Sequence, residues 1–178
     1  MKFKLTLALI GSLLMLSCCS TPKLEDKEQK TPEFLVENYF NGPIKAWGVV
    51  QNFRGKVVRR FEVDMVGKWD GNKGTLDEDF DYYDGKKQQR TWHITKLADG
   101  SYEGRAGDIF GKAVGHIQGG SMQWKYDMDL EVGDSRYRIT FDDRMFEMRD
   151  GVLINRSYLK KFGIKVAELT IFMQKQDK

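Results

Sequence analysis

Cysteine, histidine and proline are the scarce residues of this 178-residue chain, with two, two and three copies. The cysteines, Cys18 and Cys19, are adjacent and lie near the N-terminus. Everything after them must therefore fold without an internal disulfide and draw its stability from burial. His93 and His116 fall outside any metal-ligand spacing, and no serine sits in a nucleophile elbow, so no metal site and no serine-hydrolase chemistry is indicated. Nor does the chain contain the run of about 20 apolar residues that a membrane-crossing helix requires. An excess of one charge is also missing: 29 Lys and Arg face 26 acids, a formal +3 that drops to +1 without Lys2 and Lys4. The bases are scattered among acids rather than gathered into a basic stripe, which excludes nucleic acid as the expected partner. No cofactor is expected, and the chain is not expected to be an enzyme.

What is present begins at the first residue. Lys2 and Lys4 precede an apolar run from Leu5 to Leu16, which has the length of a signal-peptide core and is too short for a membrane span. Leu16-Ser17-Cys18-Cys19-Ser20 follows and resembles the lipobox of bacterial lipoproteins, in which a cysteine is acylated and becomes the new N-terminus. Reading Leu16 at −3 makes Cys19 the lipidation site; reading Ser17 at −1 makes it Cys18. That resemblance implies a membrane partner through the lipid anchor. With no Asp after the acceptor, it also implies residence on the periplasmic side of the outer membrane. The expected organisation is a signal peptide over 1–18, a lipid-anchored tether over 19–31 and one domain over 32–178. The tether is polar and mixed in charge, and some twelve residues of such chain reach on the order of 20 Å.

Thr31-Pro32-Glu33 offers an N-cap, a proline at the first helical position and an acid in the first turn, which predicts a short helix to about Phe40, stopped by Asn41-Gly42-Pro43. Everything beyond reads as strand and turn. Phe61, Val63, Met65, Gly67 and Trp69 alternate with Arg60, Glu62, Asp64 and Lys68. Met122, Trp124, Tyr126, Met128, Leu130 and Val132 alternate with Gln123, Lys125, Asp127, Asp129 and Glu131, and Tyr137, Ile139 and Phe141 repeat the pattern. Such period-two alternation gives each strand one dry and one wet face. Asp84-Gly85, Asp99-Gly100, Gly119-Gly120, Gly133-Asp134 and Asp150-Gly151 suit tight hairpins. Nine or ten consecutive strands joined this way make an all-β antiparallel meander; closure into a barrel, which removes its exposed edges, is the expected solution, with a sandwich or half-open sheet as the alternative. The outward positions are charged, which excludes a barrel that spans a membrane.

Polar residues on the dry face are the candidates for function, because a buried charge must be paired or used. Glu78 shares a face with Leu76, Phe80 and Tyr82, and Arg90 shares one with Trp92 and Ile94, so an interior Glu78–Arg90 pair is expected across one hairpin. Asp108 continues the face of Tyr102, Gly104 and Ala106; Asp143 continues that of Ile139 and Phe141; Arg156 alternates with Val152 and Ile154. With Trp92, Trp124 and Tyr126 these residues either line a cavity in which arginine holds an anionic head group, or form an ionic lattice that fixes strand register in a filled barrel. Gly104, Ala106, Ala113, Gly115, Gly119 and Gly120 either leave space along one wall or mark strand corners. Asp77, Asp79 and Asp81 read as a solvated outer stripe rather than a calcium site. His93 faces solvent.

The succession Phe40-Asn41-Gly42, Arg59-Arg60-Phe61, Leu76-Asp77-Glu78-Asp79-Phe80, Asp84-Gly85, Arg90-Thr91-Trp92, Tyr102-Glu103-Gly104-Arg105-Ala106-Gly107-Asp108, Asp142-Asp143 and Asn155-Arg156 resembles a family of proteobacterial envelope lipoproteins of unknown function. The resemblance covers nearly the whole domain. It implies a lipocalin-like fold and genes neighbouring enzymes that modify fatty acyl chains, and it implies no reaction. Arg144 departs from the pattern, standing where that family is expected to carry tryptophan.

The expectation from sequence is thus an anchored, lipocalin-like barrel that binds or hands over a lipidic, fatty-acyl or otherwise amphiphilic ligand through Glu78, Arg90, Trp92, Asp108, Trp124, Tyr126 and Arg156. Its rival is a non-catalytic module of the envelope with a filled interior and a protein partner. An enzyme would have to work with Glu78, Asp108 or Asp143.

Overall fold

The computed structural model describes residues 34–132 and 135–177. The signal peptide, both cysteines, the tether, the Thr31 cap and the Gly133-Asp134 turn lie outside these residues, as does the side chain of Val132. A four-residue helix, α1 (Val36–Tyr39), leads into ten strands: β1 (Gly42–Asn52), β2 (Val57–Asp70), β3 (Lys73–Tyr82), β4 (Lys87–Lys96), β5 (Tyr102–Arg105), β6 (Ile109–Gln118), β7 (Ser121–Val132), β8 (Ser135–Glu147), β9 (Val152–Lys161) and β10 (Ile164–Lys175). Each strand pairs antiparallel with the next, and β1 pairs with β10 from Ile44↔Lys175 to Asn52↔Ala167. The meander is a closed barrel with no free edge, as its alternation predicts.

The alternation that specifies the strands also specifies their inward faces. Phe61, Val63 and Met65 of β2, Met122, Trp124, Tyr126 and Met128 of β7, and Ile139 and Phe141 of β8 are all buried. On the outer face the acidic stripe of β3 is laced to β4: Thr91 donates to Asp77 at 2.7 Å, Gln89 to Asp79 at 2.7 Å and Lys87 to Asp81 at 3.2 Å. Among the described residues no cluster of metal ligands occurs there or elsewhere.

The ten strands give the barrel two unlike ends. The hairpins β1–β2, β3–β4, β5–β6, β7–β8 and β9–β10 surround an open mouth. The opposite end is shut by the segment before β1, whose Phe34, Val36, Tyr39 and Phe40 are buried. The Phe34 N–H donates to the Gly119 carbonyl at 3.1 Å, which holds residues 34 and 35 extended, so the helix starts at Val36 and is shorter than its sequence suggests. The Tyr39 hydroxyl donates to Gly151 O at 3.1 Å, and Lys175 reaches the carbonyls of Asn38 and Asn41 at 2.9 and 3.0 Å. Glu37 accepts from Tyr102 at 2.6 Å and from Lys96. Burial pushes its carboxyl up, but those two donors hold it below the usual value.

The plug demands a close approach at β2. A Cβ on Gly67 would stand 2.0 Å from the Phe40 carbonyl oxygen, which also accepts the Trp69 indole N–H at 2.9 Å. Backbone cannot yield there as a side chain can. Gly67→Ala is therefore expected to cost at least the 1–3 kcal/mol or so typical of overpacking, read as a lowered denaturation midpoint; an unchanged midpoint would mean that α1 contributes no stability.

Candidate ligand cavity

Between mouth and plug the barrel encloses a cavity of about 760 Å³, within the range of small-molecule sites. Its walls are unlike. The deep side made by β10, β1 and β2 is apolar, with Leu169, Ile171, Met173, Ala46, Val63 and Met65, while the deep polar groups come from β3, β4, β8, β9 and the β5–β6 turn, and Arg59, Lys86, Asp129 and Glu131 add charges toward the mouth.

Glu78 and Arg90 face each other directly in the β3·β4 register, and Arg90 Nε donates to Glu78 Oε2 at 2.7 Å, as the hairpin reading expects. Their side chains are 11% and 12% exposed, so the pair is largely withdrawn from water. Asp108 stands 3.6 Å from Arg90 Nη1 and accepts from Gln88 at 3.3 Å. The guanidinium also lies 5.0 Å from the Phe80 ring and 5.5 Å from Trp92, a stacked position suited to arginine. Burial works against its charge, yet Glu78, Tyr126 and Asp108 together hold it more firmly protonated than usual. The same burial pushes the Glu78 carboxyl up, restrained by Arg90. One donor, Arg90 Nη1, and one acceptor, Asp108 Oδ1, are buried without a hydrogen-bond partner.

Trp92, Trp124 and Tyr126 line the same space. Trp92 meets Trp124 edge-on at 5.7 Å and Tyr126 at 5.3 Å, and Tyr126 stacks on Phe141 at 5.0 Å. Burial, reinforced by Asp143, pushes the Tyr126 phenol well above its ordinary value. Asp143 lies opposite Ser157 in the β8·β9 register and lines the cavity. Burial pushes its carboxyl up to about 7 against the opposing pull of Ser157 and Arg90. Its Oδ1, like Oδ1 of Asn155, is buried without a partner.

The structure thus brings together Glu78, Arg90, Trp92, Asp108, Trp124 and Tyr126 as the sequence suggests, and Asp143 with them. It removes Arg156, which is exposed and bonded to Glu168 at 2.7 Å on the outer face. The β9 face is inverted relative to the reading from Val152 and Ile154: Leu153, Asn155, Ser157 and Leu159 point inward. Val152-Leu153-Ile154 is apolar throughout and carries no phase. The usable signal was the spacing of Leu153 and Leu159, which brackets Asn155 and Ser157 at period two. Small residues on β5 and β6 do not empty the wall either. A Cβ on Gly104 would meet the Trp124 ring at 2.4 Å, and one on Gly115 would meet Met122 at 2.3 Å and Trp124 at 2.5 Å. Those glycines make room for Trp124.

Arg144, buried on β8, stands 3.6 Å from Asp142, which accepts from Gln123 and Lys160 at 2.6 Å each. It belongs to the outward positions and takes no part in the cavity. No curated protein matches the chain. Residues 13–175, nearly the whole chain, match a family described as "Protein of unknown function (DUF3833)". The chain belongs to that family.

Proposed function

We propose that the chain is an envelope lipoprotein, anchored through Cys19 on the periplasmic side of the outer membrane, whose lipocalin-like barrel binds or transfers one lipidic or amphiphilic ligand. The observation that carries this reading is the cavity of about 760 Å³ with one apolar wall and one polar wall. An amphiphile has the same division, and its polar part would meet unpartnered groups on Arg90, Asp108, Asp143 and Asn155, whose burial is costly unless something bonds them. The open interior favours this over a filled interaction module. Binding rather than turnover is the reading taken, with Glu78 held by Arg90 and Asp108 by Gln88 as parts of the polar wall. The charged outer face, laced by β3–β4 bonds, suits an aqueous compartment.

The test is native mass spectrometry with lipid extraction on the chain from Thr31 onward, exported to the periplasm. A co-purifying mass of a few hundred daltons is expected, and Val50→Trp, which fills cavity space beside the mouth, should abolish it while the barrel still folds. A bare protein mass for the parent would overturn the binder and favour the interaction module.

A further inference from the structure

The mouth rim is built unlike the closed end. Every described hairpin at the mouth carries an exposed aromatic ring with a base against it, three at the tip and one on the strand that follows it: Phe53 with Arg54 at 5.1 Å, Tyr83 with Arg60 at 5.0 Å and Phe162 with Lys161 at 5.5 Å, and Phe110, the second residue of β6, with Arg138 at 3.7 Å. The rings range from 57% exposed at Tyr83 to 92% at Phe162, and Val57, Val58 and Ile164 extend the same apolar surface. Turns at the closed end carry Asp70, Asp99 and Asp150 with Lys73 and Arg149, and no aromatic. The contrast is therefore a property of one end rather than of turns in general.

Phe162 shows that this rim is costly to keep. Two hairpins turn through a left-handed residue followed by glycine: Asp150-Gly151 with φ of 59° and 72°, and Phe162-Gly163 with φ of 52° and 79°. Aspartate is suited to that conformation, whereas a bulky residue is an outlier there. At Phe162 the residue worst placed for the turn is also the one most exposed to water. Neither local folding nor burial explains it. Among the bases of the mouth hairpins, Arg54, Lys56, Arg60, Lys86 and Lys161 form no ion pair with a described carboxylate, while Arg59, Lys87, Arg136, Arg138 and Lys165 are paired.

We propose that the mouth rim docks on an anionic bilayer, with Phe53, Phe110, Phe162 and Ile164 entering the head-group layer and the unpaired bases meeting lipid phosphates. Exposed aromatic and aliphatic tips interleaved with Lys and Arg are the chemistry of interfacial binding, and each base near an anionic surface adds to it. Docking would set the cavity mouth against the bilayer. Phe34, the first described residue, lies at the opposite end, so with Cys19 acylated the molecule would hold one membrane by its anchor and meet another with its rim. The rim would dock even if the cavity bound nothing.

The experiment uses the full chain purified from membranes and carried on phosphatidylcholine vesicles, to which dye-loaded vesicles of equal parts phosphatidylcholine and phosphatidylglycerol are added. Capture of the second vesicles is expected, with loss at high salt and little capture of pure phosphatidylcholine. Phe162→Asn should melt higher than the parent, because it relieves the turn, and should capture roughly tenfold fewer vesicles; adding Phe53→Ser should abolish capture. A structural role for Phe162 predicts the reverse, a lower melting point and unchanged capture, and would overturn the proposal. So would equal capture of neutral and anionic vesicles, or rim-dependent self-association in place of capture. If the protein is not retained on the first vesicles, the anchor reading fails, and co-sedimentation of the same protein and variants with the anionic vesicles decides the rim by the same criteria.

Discussion

Arg90→Ala is expected to cost about 3 to 5 kcal/mol of folding stability, the largest loss of any single change in the cavity, because it strands Glu78 in a site where burial already pushes the carboxyl up. Asp108, at 3.6 Å from the guanidinium, loses its cation as well. Chemical denaturation at neutral pH, followed by tryptophan fluorescence, measures the loss. The pair is not required for stability as such: removing both partners by Glu78→Leu with Arg90→Met should recover most of the deficit, since apolar replacement of a buried ion pair is commonly neutral or better. If Arg90→Ala alone cost under about 1 kcal/mol, the pair would be well hydrated and the polar wall would not be the withdrawn site argued above.

Asp143 gives the second large effect, with pH as the variable. Its carboxyl titrates near 7 in the folded barrel and at the ordinary 3.8 in the unfolded chain. Between those values the native state holds a proton that the unfolded state has lost, so Asp143's contribution is fully present below about 3.8. It declines as pH rises and is gone above about 7. The interval corresponds to a loss on the order of 4 kcal/mol. Asp143→Asn keeps the shape and cannot ionise. The variant should therefore match the parent at pH 4, exceed it at pH 8, and remove most of that slope from the stability profile. Parallel profiles for the two proteins across that range would show that Asp143 is not buried as a neutral acid.

The barrel was legible because its strands differ so plainly between faces. In β7 every second residue from Met122 to Leu130 is large and apolar and the residues between them are polar, so strand, register and inward face follow together. Glu78 was legible for the same reason, as the one charge among Leu76, Phe80 and Tyr82, and Arg90 because it shares the face of Trp92 and Ile94 across the hairpin. Where both faces are apolar the reading lost phase, as in Val152-Leu153-Ile154, and one residue of slip exchanged Arg156 for Asn155 and Ser157. Glycines at 104 and 115 misled for a different reason. Sequence shows which wall lacks side chains but not which side chain crosses to fill it, and here Trp124 does. The plug was hidden for a third reason, since a four-residue helix has little periodicity and its role depends on contacts with Gly119, Gly151 and Lys175, more than 75 residues away along the chain.

That plug also decides how the molecule bears load. A pull on the chain ahead of Phe34 acts at the closed end, on the single Phe34–Gly119 bond and then on α1, while the mouth hairpins carry none of the force. The strands are held by long ladders, whereas the plug is held by a handful of bonds, so tension would draw the plug out first. A cup under tension would thereby become a tube, open at both ends, before any strand of its wall had separated.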